Sequence, residues 1–167
     1  QTIVSLAGAD FTGEWFNGVG GTPNVTMTTT GVLADVVEID LIDALGNRTP
    51  YMGAGIADGQ YDTIVFRVGD DEVEIVLAEF ELKIDTEAPT ISRPAILKDV
   101  YALGEAPPAL ACDVVVADTL SGVASCSVDV GVDTSSVTLA GAPRSVVITA
   151  TDVAGNTRTE SFTYSVI

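Results

Sequence analysis

The sequence predicts an all-β protein of two tandem β-sandwich domains, and three observations carry that prediction. Short apolar runs alternate with polar residues at period two, as in Val37-Glu38-Ile39-Asp40-Leu41 and Phe80-Glu81-Leu82-Lys83-Ile84. No window sustains the three-and-four spacing of an amphipathic helix, while Gly and Pro punctuate strand-sized segments. Midway, Asp85-Thr86-Glu87-Ala88-Pro89-Thr90 interrupts the alternation. It is short and acidic, and Pro89 holds the residue before it extended, so it reads as a stiff hinge. The 167 residues then divide into domains 1–84 and 85–167, each large enough for one small sandwich.

Charge and composition remove several function classes. The formal net charge is −17, which repels nucleic acid and anionic membrane surfaces. Such a balance suits a secreted protein that must stay soluble, a high-salt setting, or a chain that binds divalent cations. Histidine is absent and the two cysteines have no metal-ligand spacing, which argues against zinc and against His-dependent catalysis. No run of eighteen apolar residues exists, so no membrane insertion is expected. No signal peptide is present, and a mature chain or a fragment would lack one. The serines and threonines have no base, and neither lysine sits in a nucleophile motif, so no enzyme is expected and no cofactor is required. Paired carboxylates can cleave a glycosidic bond, but a small sandwich with acidic loop tips promises no cleft for a sugar chain.

The first half opens on Thr2-Ile3-Val4-Ser5-Leu6, a strand-like run. Asp10 to Gly21 reads as a loop anchored by Trp15 and Phe16, and Val25 and Met27 then alternate with threonines. Val37, Ile39 and Leu41 form one face of a half-buried strand, ended by Asp43-Ala-Leu-Gly46-Asn47, where Gly-Asn tolerates positive φ. Ile64, Phe66 and Val68 run into Gly69-Asp70-Asp71 and return as Val73, Ile75 and Leu77, a hairpin with an acidic tip. The apolar parity then changes to Phe80, Leu82 and Ile84. A one-residue slip would turn that face outward, so a bulge or bend is expected near Ala78-Glu79.

In the second half, Ile91 to Ile96 and Val100-Tyr101 supply a first edge. Cys112, Val114 and Val116 share one strand face, Asp118 to Gly122 makes a loop, and Cys126, Val128 and Val130 share a face of the return strand. Thr119 stands seven residues from each cysteine, so a hairpin centred there sets Cys112 and Cys126 opposite each other at disulfide distance. That bond implies an oxidising compartment. Val146, Ile148 and Ala150 form the penultimate strand, Asp152 to Asn156 the turn, and Phe162, Tyr164 and Val166 the last strand.

Three sets of residues carry a resemblance: Cys112-Asp113 with Asp118-x-x-Ser121-Gly122-x-x-Ser125-Cys126, Thr149-Ala-Thr-Asp152-x-Ala-Gly-Asn156-Thr, and Phe162-Thr-Tyr-Ser-Val166. Together with the Asp85-Thr-x-Ala-Pro-Thr90 junction, they resemble the bacterial tandem immunoglobulin-like repeats of exported surface proteins. The match covers about residues 85 to 167. The first half resembles the family only at its end, although Asp43-Ala-Leu-Gly-Asn47 echoes Asp152-Val-Ala-Gly-Asn156. The resemblance implies an Ig-like sandwich in the second domain, an extracellular or cell-surface location, and no particular chemistry.

In an Ig-like sandwich the first strand starts at the end where two loops of the opposite sheet also lie. Asp85 and Glu87 are therefore expected near Asp118, Asp152 and Asn156, an oxygen-rich set suited to Ca²⁺. The bland reading makes these turn residues, with Asp chosen for its own backbone hydrogen bonds. Asp10, Asp43, Asp70 and Asp71 are candidates for a weaker second set. Asn24-Val-Thr26 and Asn47-Arg-Thr49 match the N-glycosylation pattern. Three function classes follow. The first is a non-catalytic structural or adhesive segment of a surface protein or filament, whose partners are neighbouring domains or identical subunits. The second is a carbohydrate-binding module for a surface glycan, which needs an exposed platform from aromatics such as Trp15, Phe16, Tyr51 or Tyr61. The third is a filament subunit that donates Thr2, Ile3, Val4 and Leu6 to a neighbour's sheet.

Overall fold

The computed structural model describes residues 3–7, 12–18, 26–30, 37–51, 56–68 and 74–167, with side chains described over 14–18, 38–51, 56–63 and 79–167. Thirteen strands and no helix are found among them, so the protein is all-β. No helix among the described residues is long and apolar enough to cross a membrane. The chain forms two compact units, Gln1–Thr86 and Glu87–Ile167.

In the first unit β1 (Ile3–Ala7) pairs antiparallel with β3 (Thr26–Thr30). A second, five-stranded sheet has the order β2-β7-β6-β4-β5, from β2 (Thr12–Phe16), β4 (Val37–Ile42), β5 (Arg48–Pro50), β6 (Gly59–Val68) and β7 (Glu74–Ile84). The segment expected as a loop from Asp10 to Gly21 therefore contains a strand. Its residues pair parallel with β7, Thr12 with Glu81 and Phe16 with Ile84, because a strand rich in aromatics completes the free edge of the hairpin. Phe16 packs against the buried Leu41, Leu82 and Ile84, with Tyr51, Ile56, Tyr61 and Phe80 around them.

The β6–β7 hairpin explains the parity change. Val65 opposes Ala78 but Phe66 opposes Val76, so Leu77 is the extra residue. The bulge thus sits next to Ala78, and it returns Phe80, Leu82 and Ile84 to the core side. The acidic tip at Gly69 to Asp71 lies outside the described residues, as do Asp10 and Asn24.

The second unit has a four-stranded sheet of order β11-β12-β13-β9 and a two-stranded sheet, β10-β8. The strands are β8 (Thr90–Ile91), β9 (Val100–Tyr101), β10 (Val116–Ala117), β11 (Val123–Val130), β12 (Arg144–Asp152) and β13 (Thr157–Val166). The expected first edge is split between the sheets: β8 pairs antiparallel with β10, whereas β9 pairs parallel with the end of β13. Between the sheets lies a core of Tyr101, Val146, Ile148, Tyr164 and Val166, with Ile91 and Val116 packed onto it. The rings of Tyr101 and Tyr164 meet edge to face with centroids 5.6 Å apart. Each buried hydroxyl finds a partner: the Lys98 amide donates to Tyr101 and the Asp133 amide to Tyr164.

Cys112 and Cys126 are bonded, with Cα atoms 6.0 Å apart. The expected hairpin is not what joins them. The Val115 amide donates to the Cys112 carbonyl and closes a turn, so Cys112 precedes β10 and Val114 is exposed. β10 gives its edge to β8, and Cys126 on β11 opposes Ala150 of β12. The disulfide therefore ties the turn before β10 to β11 of the large sheet, with Cys112 packed against the core. Closing a loop of fourteen residues stabilises by about 3 kcal/mol through restriction of the unfolded chain. We expect the Cys112→Ala/Cys126→Ala double variant to lose that amount in urea unfolding. An unfolding midpoint of the native chain that does not move when reductant is added would contradict it.

Candidate functional site

The residues expected to hold a cation lie on turns built around carboxylates. After β12 the chain reverses through Asp152 to Asn156. The Asp152 amide donates to the Asn156 carbonyl at 3.0 Å, and the Asn156 amide donates to Asp152 Oδ1 at 2.8 Å. The Asn156 side-chain amide donates to Asp152 Oδ2 at 2.9 Å. Gly155 sits at φ 93°, a left-handed position that glycine occupies without a Cβ penalty. Asp152 is thereby buried with both oxygens bonded, which meets the cost of burying a carboxylate.

The neighbouring loop uses the same device. Asp118 Oδ1 accepts from the Leu120 and Gly122 amides at 3.0 and 2.7 Å. The two loops are joined where the Val153 amide donates to the Gly122 carbonyl at 2.9 Å. One oxygen of Asp118 and one of Asp152 lie within 4.8 Å, an acidic cluster at this end of the unit. Glu87 is in the same unit, and its carbonyl accepts from the Asn156 side chain at 3.3 Å. Asp85 belongs to the first unit, where its amide donates to the Phe16 carbonyl.

In the first unit the Asp43-to-Asn47 turn reproduces the bonds of the Asp152 turn. The Asp43 amide donates to the Asn47 carbonyl at 3.0 Å, and the Asn47 amide and side chain donate to the two Asp43 oxygens, each at 2.8 Å. The Asn47 side chain, then its amide, hold the Asp43 carboxyl below its ordinary 3.8. A carboxyl lowered in this way stabilises fully above its unfolded value and loses that contribution as acid protonates it. Asn47 is exposed, as a glycosylation acceptor must be.

The other expected residues have definite places. Ile3, Val4 and Leu6 lie on β1, paired within the unit to Thr30, Thr29 and Met27; Thr2 lies outside the described residues. Phe16, Tyr51 and Tyr61 pack against the core and Trp15 is half-buried.

Two features escaped the sequence reading. Thr86 is anchored by Asp58, whose Oδ2 accepts from the Thr86 amide at 2.9 Å, and a Cβ on Gly18 would stand 3.1 Å from the Thr86 methyl. The start of the expected hinge is thus bonded into the first unit, and the φ of 78° at Gly18 favours glycine beside it. The outer face of the five-stranded sheet also carries an unexpected cleft of about 360 Å³, lined by Ile42, Asp62, Thr63, Glu79, Phe80 and Glu81. Its three carboxylates are exposed, and Asp62 and Glu81 oppose each other across β6 and β7.

Comparison with protein-family models found no match, and comparison with curated protein sequences found none either.

Proposed function

We propose that this chain is a non-catalytic structural or adhesive segment of an exported surface protein or filament, built from tandem Ig-like sandwich units. The disulfide of the second unit carries the proposal, because such a bond persists in an oxidising compartment. A cross-link from the turn at Cys112 to β11 also limits how far the unit extends under load, which suits a spacer or stalk. The in-unit pairing of β1 and the core placement of three first-unit aromatics favour this reading over strand donation and over an aromatic sugar platform. Immunolabelling of intact cells that make the chain should find it at the surface. Signal that appears only after permeabilisation would overturn the proposal.

We further propose calcium as a ligand at the loop end of the second unit. The close carboxylates of Asp118 and Asp152 favour it, since two such charges repel unless a cation neutralises them. Glu87 and Asn156 supply further oxygens from the same unit, and Asp85 stands two residues upstream of Glu87. A ligand that binds only the folded state raises the melting temperature by mass action. Calcium in millimolar excess should raise the melting temperature of the native chain and leave Asp118→Asn and Asp152→Asn nearly unmoved. Equal shifts in all three would show that the carboxylates serve only their turns.

A further inference from the structure

The outward side of the four-stranded sheet differs from the rest of this acidic chain. Every second residue of β13 bears a hydroxyl: Thr157, Thr159, Ser161, Thr163 and Ser165. These alternate with Tyr164 and Val166, which are buried in the core, so the hydroxyls stand on the opposite, solvent side. The neighbouring strands continue the pattern in register on the side of Thr157 and Thr159, and Val147, opposite Ser161 and Val130, ends it. Thr149 opposes Thr159 and Thr151 opposes Thr157, and on the other side Ser127 opposes Thr149. The result is a grid of hydroxyls, about 4.8 Å apart across strands and about 6.7 Å along them.

In a chain of net charge −17, this face carries one charged group, Asp129. Ser127 and Thr149 both donate to it, which fixes it as an ionised acceptor within the grid. At the rim Arg93 donates to the Thr163 carbonyl and is ion-paired with Asp99, so its charge is already met. The hydroxyl pairs Thr149–Thr159 and Thr151–Thr157 are each 2.9 Å apart; Thr149 spends its proton on Asp129 and so accepts from Thr159, while either oxygen of the second pair can be the donor. A hydroxyl has one proton and two lone pairs, so each pair retains capacity for further bonds outward.

We propose that this face binds a neutral, linear, hydroxyl-rich polysaccharide. Sugar hydroxyls are donors and acceptors together, as the grid requires, and the ionised Asp129 strengthens any bond it accepts. An anionic chain would meet that carboxylate without a cation to offset it, and a cationic one would be drawn to the acidic surfaces elsewhere. With no aromatic ring on the face, recognition rests on hydrogen bonds, and strength comes from repetition along a chain. The proposal is independent of the spacer role and of calcium.

The test is a titration of the full chain with cellohexaose, followed by amide shifts in NMR. Perturbations should be confined to β11, β12 and β13. Thr149→Val and Thr159→Val keep the β-branched shape and should each weaken binding roughly five-fold, the loss of one net hydrogen bond. Thr149→Ser should bind like the native chain, and Thr119→Val, on an exposed loop, should have no effect. Absent shifts, shifts spread over other surfaces, or equal binding by the valine variants would overturn the proposal. So would ice shaping in a freezing assay without any cellohexaose shift, because the grid would then order water rather than sugar.

Discussion

A carboxylate that closes a tight turn is the interaction on which much of this structure depends. Asp43 with Asn47 and Asp152 with Asn156 make the same three bonds, one pair in each unit. The aspartate accepts from the asparagine backbone and side chain, while glycine supplies the left-handed step between them. The turn at Asp152 matters most, because it sets the register of β12 against β13. That register sends Val146, Ile148, Tyr164 and Val166 into the core and the hydroxyl grid outward. A slip of one residue would exchange the two faces.

The same carboxylates link fold to function. Asp118 and Asp152 are first of all turn-formers, and their amide bonds account for their presence without any ligand. Their closeness is a consequence of joining the two loops through Val153 and Gly122. A cation there would reinforce turns that already exist rather than create a site from disordered loops. The disulfide acts at a different place, between the turn before β10 and strand β11, so the two devices are separable by mutation.

Much of the architecture was legible because period-two patterns survive wherever one sheet face is buried. β4, β6, β12 and β13 fall where the alternation of Val37 to Leu41, Ile64 to Val68, Val146 to Ala150 and Phe162 to Val166 places them. The parity change after Leu77 located a bulge to within a residue. Alternation misled at Cys112 to Val116, where the apolar spacing of a strand is taken up by a turn and Val114 faces solvent. The disulfide was still readable, because a turn and a strand can bring two cysteines as close as a hairpin does. β2 was missed because its glycine-rich setting masked a strand whose pairing is distant in sequence, to Glu81 and Ile84. The anchoring of Thr86 by Asp58 joins residues 28 apart and leaves no local pattern. The hydroxyl grid was in plain view as Thr157-x-Thr-x-Ser-x-Thr-x-Ser165, but its meaning depends on the uncharged neighbours that pairing supplies.

Asp152 and Asn156 act as one unit in fixing the last hairpin. A double-mutant cycle with Asp152→Ala, Asn156→Ala and the pair tests it directly, read by hydrogen exchange of the β12 and β13 amides. The Asn156 side-chain bond to the buried carboxylate should give a coupling energy of about 1–2 kcal/mol, with the double variant hardly less stable than Asp152→Ala alone. Effects that add to within about 0.5 kcal/mol would contradict the claim and leave the hairpin's register to its core residues alone.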